Sequence, residues 1–152
     1  MDRGELVGEL MRQTRVQTTW TVLLHHAVAA RADLHVTDME CVNLLQVRGP
    51  QTPGQLAEAM ALTTGGGITA VIDRLVEAGL VRRRRDDVDR RRTLVELTGA
   101  EGAVAERFRP IAEAFGKLLA QYSDEDLGLL LEFISRSNAQ MPGVIDMIRR
   151  AD

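Results

Sequence analysis

The stretch LVRRRRDDVDRRRTLVELT, Leu80–Thr98, sets seven arginines among the eleven residues from Arg82 to Arg92 of a 152-residue chain with formal net charge −3. With Asp86, Asp87 and Asp89 counted, that segment stands at +4, while the other 141 residues carry 12 basic and 19 acidic groups. An acidic body repels polyanions in general, so one concentrated basic point selects where a phosphate-rich partner docks. Straight after it, TLVELT alternates apolar and polar residues, the period of a strand with one buried face. LVRRRR and TLVELT around the polar tip DDVDRR therefore predict a two-stranded hairpin.

Working outward, helices with caps flank the hairpin. Upstream, TTGGGITAVIDRLVEAG (Thr63–Gly79) carries Ile68, Val71, Ile72, Leu75 and Val76 as one buried stripe, and Gly79 closes it. Before that, TPGQ is a capping box at Thr52 with proline at the first helical position, starting a short helix that buries Leu56, Ala57 and Met60. TDME at Thr37–Glu40 is a second capping box, whose helix should stop at Gly49. Residues 2–31 space Leu6, Leu10, Val16, Trp20, Leu23, Leu24, Ala27 and Val28 along one long helix. Downstream, TGAE at Thr98 caps a helix with Val104, Phe108, Ile111, Phe115, Leu118 and Leu119, which Pro110 should bend. SDED at Ser123 caps the next, with Leu127, Leu130, Leu131 and Ile134. Pro142 should end it and leave GVIDMIRR as a separate terminal piece.

Composition bounds the function class. Hydrophobic content of 45% and charged content of 27% are those of a soluble globular protein. No apolar run approaches the ~20 residues that cross a bilayer, and the acidic, amphipathic opening MDRGELVGELMRQ is no secretory signal. Cys41 is the single cysteine, which excludes an intramolecular disulfide framework and fits a reducing, cytoplasmic setting. No nucleophile elbow, acid–base pair or cofactor fingerprint appears, so neither an enzyme nor a cofactor is expected. The glycines Gly65–Gly67 lack the following Lys-Ser/Thr of a phosphate loop. His25, His26 and His35 lack a fourth metal ligand at suitable spacing.

Two short helices joined by a tight turn, with a hairpin straight after the second, make a winged helix-turn-helix. A helix fits the major groove, and an arginine-tipped hairpin reaches the neighbouring minor groove, where narrowing concentrates negative potential. The aspartates at the tip hold the arginines apart and oriented.

From Leu75 to Thr98 the chain resembles the MarR family of bacterial transcription regulators. LVEAGLV, seven residues, DRR, six residues and a threonine match its signature in residue type and spacing. The resemblance implies a mainly α fold with a small β-hairpin wing, 1–152 forming a single domain. Within it, 37–98 form the DNA-binding lobe, and 2–31 with 99–150 the dimerisation helices. It implies a homodimeric repressor on a pseudo-palindromic DNA operator, released by a small aromatic or phenolic effector, with no membrane partner. It places at the DNA Thr63, Thr64, Gly65, Gly66, Thr69, Ala70 and Arg74 of the recognition helix, and Arg84, Arg85, Arg90, Arg91 and Arg92 of the wing. Departures are Ala70, where the family often has a basic residue, and the glycines at the helix start, which leave base readout to Thr63, Thr64, Thr69 and backbone amides. One extra residue also separates Thr98 from Gly102.

Three alternatives stand beside this reading. Cys41 is a peroxide-sensing thiol or a small core residue; its place in the second helix favours core. Trp20, a turn from Val16 and Leu23, is plain core, or with His26, Met39 and Met60 it walls an effector pocket. A winged helix can also serve only protein contacts, although such a wing has no need of seven arginines.

Overall fold

The computed structural model describes residues 1–62, 65–100, 102 and 106–151. They fall into two compact units, Met1–Phe108 and Arg109–Asp152.

The first unit opens with α1 (Arg3–Ala32). Asp2 caps it: its carboxylate accepts the Glu5 amide at 2.8 Å and Glu5 accepts the Asp2 amide at 2.9 Å. Only Val28 and Ala29 of α1 are buried. Trp20 is 66% exposed, so it is not core in the single chain, contrary to the simpler sequence expectation.

Helix α2 (Val36–Arg48) starts earlier than TDME suggested. The residue before it is His35, whose amide donates to the Asp38 carboxylate at 3.0 Å; Thr37 and Glu40 lie inside the helix. A carboxylate at the third helical position satisfies the free amide at the start as well as a glutamate would. Helix α3 (Pro53–Ala59) keeps its expected box: Thr52 Oγ1 accepts the Gln55 amide at 3.2 Å and Gln55 Oε1 accepts the Thr52 amide at 2.9 Å. Ala61, at φ 53°, turns the chain out of α3 in the left-handed region, where glycine is usual. The Leu62 amide then reaches back to the Ala57 carbonyl at 2.9 Å.

Helix α4 (Gly65–Glu77) buries Ile68, Val71, Ile72 and Leu75, but Val76, expected in that stripe, is 39% exposed. Gly79, at φ 71°, ends it, and the Leu80 amide closes on the Leu75 carbonyl at 2.9 Å. That closure aims the chain directly into β1 (Val81–Arg85), which pairs antiparallel with β2 (Thr93–Leu97), Arg83 opposite Val95. Gln51, in the α2–α3 connection, bridges the far edge of β2 through two hydrogen bonds with Val95, at 3.1 and 2.8 Å. This third edge has no signal in the sequence pattern.

The core lies where α2, α3, α4 and the inner face of the hairpin meet. Met39, Leu56, Ile72, Leu75, Val81 and Val95 are almost fully enclosed there. Each such side chain contributes about 1.5–3 kcal/mol of burial. The half-buried His25 ring meets Phe108 edge-on at 6.0 Å, while its neighbour His26 faces solvent.

The start of the helix expected from the TGAE cap falls on residues 101 and 103–105, outside the described residues. A short 3-10 turn, Glu106–Phe108, closes the first unit, and the second opens with α5 (Arg109–Leu119). Pro110 sits in the first turn of α5, where its missing N–H goes unneeded. Ser123 caps α6 (Asp124–Arg150), accepting the Asp126 amide at 3.2 Å. Contrary to expectation, α6 runs through Pro142 without a break. One lost backbone bond is tolerable in a helix of 27 residues whose neighbouring turns remain intact. No described residue of α5 or α6 is buried in the single chain.

Candidate nucleic-acid interface

The strand period sorts the arginines of the hairpin. Arg82 and Arg84 alternate onto one face, opposite and diagonal to Glu96. That carboxylate accepts from both, Arg82 at 2.8 Å and Arg84 through Nε. Arg84 also meets Asp87 at 3.1 Å. The Arg84 and then the Arg82 hydrogen bond hold Glu96 below the usual carboxylate range, and Glu96 in turn raises Arg84. A carboxyl depressed on folding stabilises the fold above its ordinary titration range and loses that contribution as pH falls through its lowered value. Arg83 points the other way, to α4, and pairs with Asp73 at 2.7 Å. That contact offsets a carboxylate which would otherwise repel phosphate on the exposed side of the helix.

At the tip, the aspartates shape backbone more than they pair with guanidiniums. Asp86 Oδ1 accepts the Val88 amide at 3.0 Å and Asp89 Oδ1 accepts the Arg91 amide at 3.1 Å. Both are side-chain turns that tighten the loop. Arg92 lies a loose 4.0 Å from Asp86. Arg85, Arg90 and Arg91 are exposed with no carboxylate partner among the described residues. The seven arginines thus divide into a braced base and a tip of open charge, a division that charge counting does not reveal.

On α4, Gly66, Thr69 and Ala70 lie on the side away from the buried stripe and are exposed. Gly65 begins the helix; Thr63 and Thr64 lie outside the described residues. Arg74 is engaged elsewhere, its guanidinium forked onto Asp38 of α2 at 3.1 and 2.6 Å. Sequence reasoning missed Asp38, Asp73 and Glu96. Of these only Glu96 had a signal, as the polar position of an alternating strand beside four consecutive arginines.

The comparisons with known proteins bear on this lobe first. A sequence model of the MarR family matches residues 34–93. The HTH-type transcriptional regulator YcgE of Bacillus subtilis (strain 168) is 34% identical over 149 residues, covering 97% of this chain and 96% of the relative. The chain belongs to the MarR family. Solved structures carry the same fold. A MarR family protein from Bacillus stearothermophilus superposes with TM-score 0.68 at 20% identity, covering 93% of this chain and 99% of that one. The transcriptional regulator Tm0710 from Thermotoga maritima gives 0.65 at 18% identity, covering 91% and 98%. This MarR-family chain is therefore a helix-turn-helix transcriptional regulator and not an enzyme, and none of its described helices is long and apolar enough to cross a membrane.

The remaining candidate residues of the MarR-family chain sit in contrasting surroundings. Trp20 and His26 are exposed on α1, Met60 is half-buried at the end of α3, and Met39 is sealed in the core at 1% exposure. Cys41 is fully enclosed, and burial first, then the Asp38 charge, push its thiol up to about 11. A thiol with so little thiolate near neutral pH attacks peroxide slowly. Native protein should leave Cys41 unlabelled by a thiol-reactive disulfide until denaturant is added, and Cys41→Ala should leave any peroxide sensitivity of DNA binding unchanged. Prompt labelling of the native protein would revive the redox reading.

Proposed function

We propose that this regulator is a homodimeric repressor on a pseudo-palindromic operator, acting in the cytoplasm. Helix α4 enters the major groove and the wing tip the adjacent minor groove. The observation that carries this reading is the open charge at the tip. Arg85, Arg90 and Arg91 have no carboxylate to neutralise them among the described residues, while the arginines behind them are braced. A narrow, electronegative groove is the partner such a tip fits. The exposed glycine and threonine of α4, Gly66 and Thr69, let backbone approach the duplex, so positioning by phosphate contacts outweighs base readout at the helix start.

Dimerisation is supported by apolar side chains with nothing to cover them. Leu6, Leu10, Trp20 and Leu23 of α1 are each at least half exposed, as are Phe133, Ile134 and Ile148 of α6. A second copy covering such faces would bury ~2,000 Å² or more. It would also set two wings against two half-sites roughly 34–36 Å apart. Light scattering at micromolar concentration should return twice the chain mass; a monomer would overturn the dimer. An electrophoretic shift on the DNA upstream of its own gene, reversed by a simple phenol, tests the operator and the effector together. Trp20, with its open ring, His26 and Met60 are the side chains through which an aromatic effector would act, Met39 being enclosed in the core.

A further inference from the structure

Asp38 is the one buried charged residue of the core among those described. Three donors converge on its two oxygens: the His35 amide at 3.0 Å and Arg74 Nε at 3.1 Å on Oδ2, and an Arg74 Nη at 2.6 Å on Oδ1. The contact links residues 36 apart, joining the first turn of α2 to the last turn of α4. The Asp38 side chain is 1% exposed and that of Arg74 37% exposed, so the fork closes over the carboxylate from the solvent side.

This geometry constrains α4 in a way its apolar packing does not. Burial of Ile68, Val71, Ile72 and Leu75 holds the helix to the lobe, but hydrophobic contact is non-directional and permits small rotations and slides. A planar guanidinium on both oxygens of one carboxylate sets distance and orientation together. A buried carboxylate stripped of that partner is costly, so the arginine stays where Asp38 is. The rotation of α4 about its axis decides which way Gly66, Thr69 and Ala70 face.

We infer that Arg74 is a positioning residue for operator reading: through its fork on Asp38 it sets the rotation of the recognition helix, and it does not contact DNA. The inference rests on α4 reading DNA, as proposed above.

The test compares a duplex that the wild-type protein enriches from a random-sequence pool with a scrambled duplex of the same composition, each over a series of salt concentrations. The variants are Arg74→Lys, Arg74→Met, Asp38→Asn and the double Asp38→Asn with Arg74→Met. The expected result is that every variant loses preference for the enriched duplex by about tenfold or more, the scale of one charge-assisted hydrogen bond. On scrambled DNA the salt slope stays that of the wild type. The double variant is no worse than the worse single one, because both remove the same contact. Arg74→Lys is decisive, and it keeps the charge beside Asp38 that holds the lobe together. Lysine preserves what a phosphate contact needs but not the planar fork, so it should not rescue. The inference is overturned if Arg74→Lys behaves as wild type while Arg74→Met flattens the slope by about 0.9 per subunit, the mark of a lost phosphate contact. It is also overturned if Asp38→Asn tightens both duplexes equally and leaves preference intact. A pool from which the wild type enriches nothing overturns the DNA reading itself, and this inference with it.

Discussion

Replacing Arg90 and Arg91 by alanine in both subunits of the proposed dimer should flatten the dependence of log affinity on log salt by up to about 3 to 4 units. Each phosphate contact releases counterions worth about 0.9 in slope, and two arginines in two subunits supply at most four such contacts. The loss should appear on operator and on scrambled DNA alike, because neutralised phosphate carries no sequence information. Stability should hardly change, since both residues are exposed at the tip and pack on little. Arg84→Ala is the informative contrast. Arg84 is held by Glu96 and Asp87, so its loss should disturb the base of the wing while moving the slope less. Titrations on both duplexes decide the matter. An unchanged slope for the double variant would place the tip off the DNA, and the cluster would then be a solvated turn.

Leu75→Ala should destabilise the lobe by about 2–5 kcal/mol, the range for removing an enclosed leucine and leaving a cavity. Leu75 is 0% exposed, and its carbonyl also receives the Leu80 amide that turns α4 into β1. Its side chain therefore belongs to the core cluster that holds the helix to the lobe. For a chain of this length the loss corresponds to roughly 5–15 °C in melting temperature. Val76→Ala, one residue on and 39% exposed, should cost no more than about 1 kcal/mol. Melts must be compared at one protein concentration, because association of copies would add to apparent stability. Equal shifts for the two variants would contradict the packing described for α4.

The two experiments address different parts of the same lobe. The wing tip acts by charge that the fold leaves open, whereas Leu75 and the Asp38–Arg74 fork hold the surface from which that charge projects. A regulator of this build can lose DNA binding by either route, and salt dependence separates them.

What the amino-acid order determined by itself is whatever rests on neighbours within a few positions. The helical periods of α1, α3, α4 and α6, the caps at Thr52 and Ser123, the stop at Gly79 and the strand alternation of TLVELT are all interactions across two to five residues. The spacing from Leu75 to Thr98 then sufficed for the winged helix and the family. Misreadings arose where two local solutions compete. His35 with Asp38 displaced Thr37 with Glu40 as the start of α2, and α6 carried Pro142 within an otherwise intact helix. Only the tertiary structure decided which charges are committed. The partners of Arg74, Arg83 and Arg84 lie 36, 10 and 12 residues away, at Asp38, Asp73 and Glu96. An ion pair depends on distance in space, and no period in the sequence encodes it. Seven arginines read as one basic patch became a braced base and an open tip because the pleat of β1 sends alternate side chains to opposite faces, where carboxylates from β2 and α4 already stand.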